Sequence, residues 1–89
     1  MSLRWTSHAL DALVDRDIDR AEVERTIAAP ERSEIDPPRR EVLMGRYFDR
    51  RLEREMLLRV VVEDTPAERV VVTVYKTSQI AKYPKRAEP

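Results

Sequence analysis

The chain has 89 residues, no cysteine, one histidine, and 17 basic against 17 acidic side chains, a formal net charge of zero at pH 7. This excludes disulfides and both thiolate and histidine-rich metal sites, and it argues against a protein that coats nucleic acid without sequence preference. The length fits a single domain with one modest core, and no run reaches the about eighteen apolar residues of a membrane span or forms a signal peptide, so the expectation is a cytoplasmic protein with no membrane partner, metal or cofactor.

The first predicted element is a helix over residues 7–16. Thr6 is its capping residue, Trp5 and Leu10 occupy the positions of a hydrophobic staple, and Leu10, Leu13 and Val14 form its apolar stripe at helical spacing. A second helix is expected over residues 20–29. Asp19 and Glu22 have capping-box spacing, Ile18 and Val23 staple across them, and Val23, Ile27 and Ala28 supply the buried face. Pro30 stops this helix, because it lacks the N–H the ladder needs.

After Asp36-Pro37-Pro38 the pattern turns extended, and an antiparallel sheet is expected within residues 32–77. Residues 31–36 read as a short edge strand and 40–48 as a longer one, where Gly45, the only glycine, marks a bulge or a close backbone approach. Residues 49–55 form a charged turn. Two β-branched segments, 56–63 and 69–77, then make a hairpin across residues 64–68. A five-residue loop puts Leu58, Val60 and Val62 on one face with Val70, Val72 and Val74, leaving Arg59, Val61, Val71, Thr73, Tyr75 and Thr77 on the other. The fold class is α+β, with two N-terminal helices packed on one face of a three- to four-stranded antiparallel sheet and a C-terminal tail over residues 79–89.

Charge is unevenly spread. Residues 1–36 carry five basic and nine acidic side chains, whereas residues 37–89 carry twelve and eight. Arg46, Arg50, Arg51, Arg54 and Arg59, with Lys76, Lys82, Lys85 and Arg86, have the composition of a phosphate-binding groove. Asp49, Glu53 and Glu55 interrupt it, so a solvated, ion-paired turn is the competing account. The run from Lys82 to Arg86 is less diluted by acid and reads equally as a frayed terminus.

Three blocks, Ser7-His8-Ala9, Val23 to Glu31, and Val71 to Ser78 leading to Lys82-Tyr83, resemble the bacterial domain-of-unknown-function family 4258. That family is similar to RelE- and ParE-type toxins and to small metal-independent toxin ribonucleases. The resemblance implies an RNA endonuclease of a toxin–antitoxin or related system, with RNA and an antitoxin protein as partners. Gln79 and Ala81 depart from the more basic tail that such a function calls for.

Cleavage of this kind needs a base, an acid and a cation that stabilises phosphorane charge. His8, near the positive end of a helix dipole, is the candidate base; Arg59 is the phosphate clamp, and Tyr75 and Thr77 supply hydroxyls on its face. Arg46, Lys76, Lys82, Lys85 and Arg86 are the RNA-binding set. Each has a plainer reading beside it: an exposed helix-start histidine, an Arg–Tyr packing pair, ordinary strand residues. The alternative function is a noncatalytic protein-interaction or nucleic-acid-binding module, with a homodimer among its assemblies.

Overall fold

A computed structural model describes residues 2–80, and all structural statements concern those residues. The elements in chain order are β1 (Ser2–Trp5), α1 (Ser7–Asp15), α2 (Arg20–Ala28), β2 (Arg32–Asp36), β3 (Arg40–Asp49), β4 (Arg54–Asp64) and β5 (Glu68–Thr77). The strands form one sheet in the order β1-β5-β4-β3-β2. β1 runs parallel to β5, and the other neighbours are antiparallel. The expected three- to four-stranded antiparallel sheet is therefore corrected to a five-stranded mixed sheet. Its extra strand has four residues and no β-branched side chain, so pairing with β5, more than sixty residues away, defines it rather than local pattern.

Both helices pack on one face, α1 against β5 and α2 against β3 and β4. Thr6 caps α1 as expected, its Oγ1 accepting from the Ala9 N–H at 3.0 Å while also donating to the Val72 carbonyl. The apolar stripe is rotated from the expected one. Ala9 and Ala12 are buried with Leu13 beside them, whereas Leu10 and Val14 are exposed, because the two small side chains let the helix lie close on the sheet. In α2 the buried residues are Val23 and Thr26, with Ile27 packed against the core; Ala28 is exposed. Asp19 caps with its main-chain oxygen, which accepts from Glu22 N–H at 3.0 Å, and not with its carboxylate.

Gly45 resolves as a close approach. β3 pairs with β4 without interruption through it, and a Cβ there would meet Thr26 Oγ1 at 3.3 Å. The bulge lies instead between β4 and β5. Next to the turn, Asp64, Glu63 and Val62 pair with Arg69, Val70 and Val71; beyond a register shift, Val61, Val60 and Arg59 pair with Thr73, Val74 and Tyr75. The odd-loop register thus holds for Thr73, Val74 and Tyr75. It fails nearer the turn, where Val71, expected beside Arg59, joins Val60 and Val62 in the helix-side core, and Val72 is the extra residue.

Two apolar clusters result. The larger lies between helices and sheet, around Val23, Leu58, Val60, Val62 and Val74. The smaller, formed by Val42, Met44 and Leu57 with Val61 and Ile80 against it, is on the opposite face.

Candidate functional site

The residues proposed from sequence do not gather at one place. His8 is exposed on α1, in the helical layer. Arg59, Tyr75 and Thr77 share the opposite face of the sheet, since Arg59 pairs with Tyr75 and Leu57 with Thr77. The Arg59 guanidinium sits 5.2 Å from the Tyr75 ring centre, a cation–π contact, and Arg59 is largely buried. Arg46 points to this second face as well, where Glu31 binds it at 2.9 Å and raises its pKa. Lys76 points to the helix side. Lys82, Lys85 and Arg86 lie outside the described residues.

A different arrangement occupies the sheet end where β3 and β5 finish. Alternation along β3 turns Tyr47 toward the helices, and the chain then places Asp49 at the strand's last position. Asp49 is 4% exposed. Its Oδ2 accepts from Lys76 Nζ at 2.6 Å and from the Tyr47 hydroxyl at 3.4 Å, while Oδ1 accepts from the backbone N–H groups of Arg51 and Leu52 at 2.9 and 3.1 Å. The carboxylate therefore caps the β3–β4 turn and anchors a lysine from β5 at the same time.

The helical layer closes over this pair at the α1–α2 connection. Asp17 has φ 52, and the Asp17 and Ile18 N–H groups bond back to Val14 and Leu13 carbonyls, the pattern of a left-handed helix stop. That conformation aims the Asp17 carbonyl at the strand ends, where Lys76 Nζ and an Arg51 guanidinium nitrogen each donate to it at 2.9 Å. Arg51 also approaches Asp19 at 3.5 Å.

The electrostatics follow from this packing. The hydrogen bond from Lys76, helped by the two turn N–H groups, holds the Asp49 carboxyl below its ordinary range against the opposing effect of burial. Burial, then the Asp49 charge, raises the Tyr47 phenol well above its ordinary value. Asp49 is therefore ionised and Tyr47 neutral at pH 7, and neither is poised to exchange a proton near neutrality.

Two surface cavities adjoin the network and share Asp17 and Arg51. One, of about 360 Å³, is also lined by Asp19, Glu22, Tyr47 and Phe48; the other, of about 310 Å³, by Leu13, Val14 and Ile18. Of their lining residues, Val14 is 77% exposed and Phe48 62%. Among the described residues no group of three or more histidine, cysteine or acidic side chains is placed to hold a metal, and no helix is long and apolar enough to cross a membrane.

The sequence put Lys76 on the face opposite Tyr75 but gave Asp49 only as an interruption in a basic run. The available signal was an aspartate directly after a strand and before a polar turn, a spacing at which its oxygens reach the N–H groups two and three residues on. The fold and this braced sheet end define a two-layer α+β protein with a concave, mixed polar and apolar surface at one end. The chain belongs to the family described as Domain of unknown function (DUF4258), whose model matches residues 5–76, a span that includes Tyr47, Asp49 and Lys76. No curated protein and no solved structure matches it.

Proposed function

We propose that this chain is a noncatalytic protein-interaction module whose contact surface is the sheet end above Asp49 and Lys76. The observation that carries this reading is the exposure of Val14 and Phe48, each lining one of two adjoining cavities. Large apolar side chains held beside concave surfaces, with charged groups at the margin, are the ingredients of a protein contact. The buried ion pair beneath supplies rigidity, which lowers the ordering cost of binding. Either a second copy of this chain or an antitoxin-like protein is a partner of the right kind, and the setting is cytoplasmic.

The test compares the full chain with Phe48→Glu and Val14→Glu variants. Sedimentation reports self-association, and affinity purification from the native host after cross-linking reports other partners. The expected result is an assembly lost in both variants and kept in Ile35→Glu, an exposed position on β2. Assemblies that ignore Phe48 and Val14 would overturn the assignment.

A second reading, a toxin-like metal-independent RNA endonuclease, has one structural support: the contact of Arg59 with Tyr75. In it Arg59 steadies phosphate, Tyr75 donates a proton to the leaving 5′-oxygen and solvent water takes the proton of the attacking 2′-hydroxyl, with Thr77 on the same face, and His8 has no part. Its test is cleavage of total or ribosome-associated RNA in EDTA, leaving 2′,3′-cyclic phosphate ends and failing in Tyr75→Phe. Inert wild-type protein ends this reading.

A further inference from the structure

The two cavities at the sheet end differ in kind. The smaller is walled by Leu13, Val14 and Ile18, an apolar hole at the end of α1, whereas the larger is lined by the exposed ring of Phe48. Asp17 and Arg51 line both, so ring and hole adjoin on one surface. Charge divides between them in the same way. Residues 7–17, the helix and its stop beside the hole, include Asp11, Asp15 and Asp17 against Arg16, while residues 50–54, the turn after Phe48, include Arg50, Arg51 and Arg54 against Glu53. Among the described residues the carboxylates of Asp11, Asp15 and Asp17 and the guanidinium groups of Arg50 and Arg54 form no ion pair. An apolar ring with a basic border and an apolar hole with an acidic border make a surface complementary to itself: turned about a two-fold axis, ring meets hole and base meets acid, twice over.

We propose, taking the sheet end as a protein contact as above, that its occupant is a second copy of this chain, docked about a two-fold axis beside Asp17 and Arg51, so that Phe48 of each copy enters the other's cavity at Leu13, Val14 and Ile18. The hole, of about 310 Å³, is ample for a phenyl ring. Removing Phe48 and Val14 from water supplies the affinity. The opposite charges around ring and hole set the orientation and speed the encounter more than they tighten the complex. Each hole is complete only in the pair, because the group that fills it comes from the other copy.

Reciprocity gives the test. In sedimentation the full-length wild type is expected to show twice the mass of one chain, and Phe48→Glu and Val14→Lys, each alone, the mass of one. Their equimolar mixture is expected to return to the doubled mass, because in the mixed dimer one contact joins the two substituted side chains, now opposite in charge, and the other is native. Phe48→Glu mixed with Val14→Glu, alike in charge, is expected to stay at the single mass. Both positions are exposed; should circular dichroism show that either variant fails to fold, Phe48→Lys with Val14→Glu repeats the exchange. Monomeric variants that do not associate on mixing overturn the reciprocal contact. A wild type that is monomeric at millimolar concentration also overturns it, while leaving the surface to a different protein that cross-linking in the host reports. A dimer unchanged in every variant overturns both this assignment and the contact surface itself.

Discussion

Lys76 at the end of β5 and Asp49 at the end of β3 are joined at 2.6 Å across β4, the strand between them. The contact ties together two strands that share no backbone hydrogen bonds, and it does so in a buried setting.

Breaking one partner leaves the other charge buried without compensation, which costs about 3–5 kcal/mol. Lys76 keeps the Asp17 carbonyl, so Asp49→Ala is expected at the low end, near 3 kcal/mol by denaturant titration. Replacing both residues by apolar ones of similar size, Asp49→Leu with Lys76→Met, is expected to recover most of that loss. A double variant as unstable as the sum of its singles would show that the residues act independently.

Stability should depend on pH through the same pair. The Asp49 carboxyl is lowered in the folded state, so its contribution is fully present above the unfolded carboxylate value of about 3.9 and is lost as pH falls through the lower folded value. Asp64 is lowered in the same way by Arg69, so the informative quantity is wild type minus Asp49→Asn. That difference is expected to stay constant from pH 7 to about pH 5 and to shrink below pH 4. A difference that does not change down to pH 2 contradicts this account.

Gly45 tests how closely α2 is seated. Thr26 is buried and its hydroxyl donates to the Glu22 carbonyl at 2.9 Å, so it cannot turn aside easily. The added methyl in Gly45→Ala must push it by a few tenths of an ångström, and overpacking of this kind typically costs about 1–3 kcal/mol, more than the 0.5–1 kcal/mol that alanine gains over glycine in a strand. The expected net effect is a loss of about 1 kcal/mol, reversed to neutral or a small gain when Thr26→Ala is added. An unchanged Tm for Gly45→Ala alone would mean that the helix yields.

These positions also mark what the sequence could reveal. Helix extents, the β4–β5 hairpin and the shared face of Arg59, Thr73 and Tyr75 were legible, because caps, proline and period-two alternation are local signals. Gly45 was legible as an anomaly, but its partner Thr26 was not, since only packing names it. β1 was missed because its pairing is entirely long-range. The bulge was missed for a related reason: a continuous run of valines at 70–72 satisfies either register, so alternation alone does not locate the extra residue. On both faces of the sheet the sequence showed charges and the fold supplied the pairs, among them Arg46 with Glu31 and Lys76 with Asp49.

Asp17 offers the last test, separating the backbone's part in the sheet-end network from the side chain's. Its φ of 52 is the left-handed conformation that glycine adopts without strain, whereas for an ordinary L-residue it costs about 1–2 kcal/mol, less for aspartate. What Asp17 gives to Lys76 and Arg51 is its carbonyl oxygen, and glycine retains that atom. Asp17→Gly is therefore expected to keep the network and raise stability by about 0.5 kcal/mol, the relief of strain being partly offset by glycine's greater freedom in the unfolded chain. That is a rise of roughly 2–4 °C in Tm for a domain of this size. Asp17→Ala keeps the carbonyl but resists the left-handed conformation, and it is expected to lose about 1 kcal/mol. If the two variants shift Tm in the same direction, the left-handed stop at the end of α1 does not control how the connection closes over Lys76.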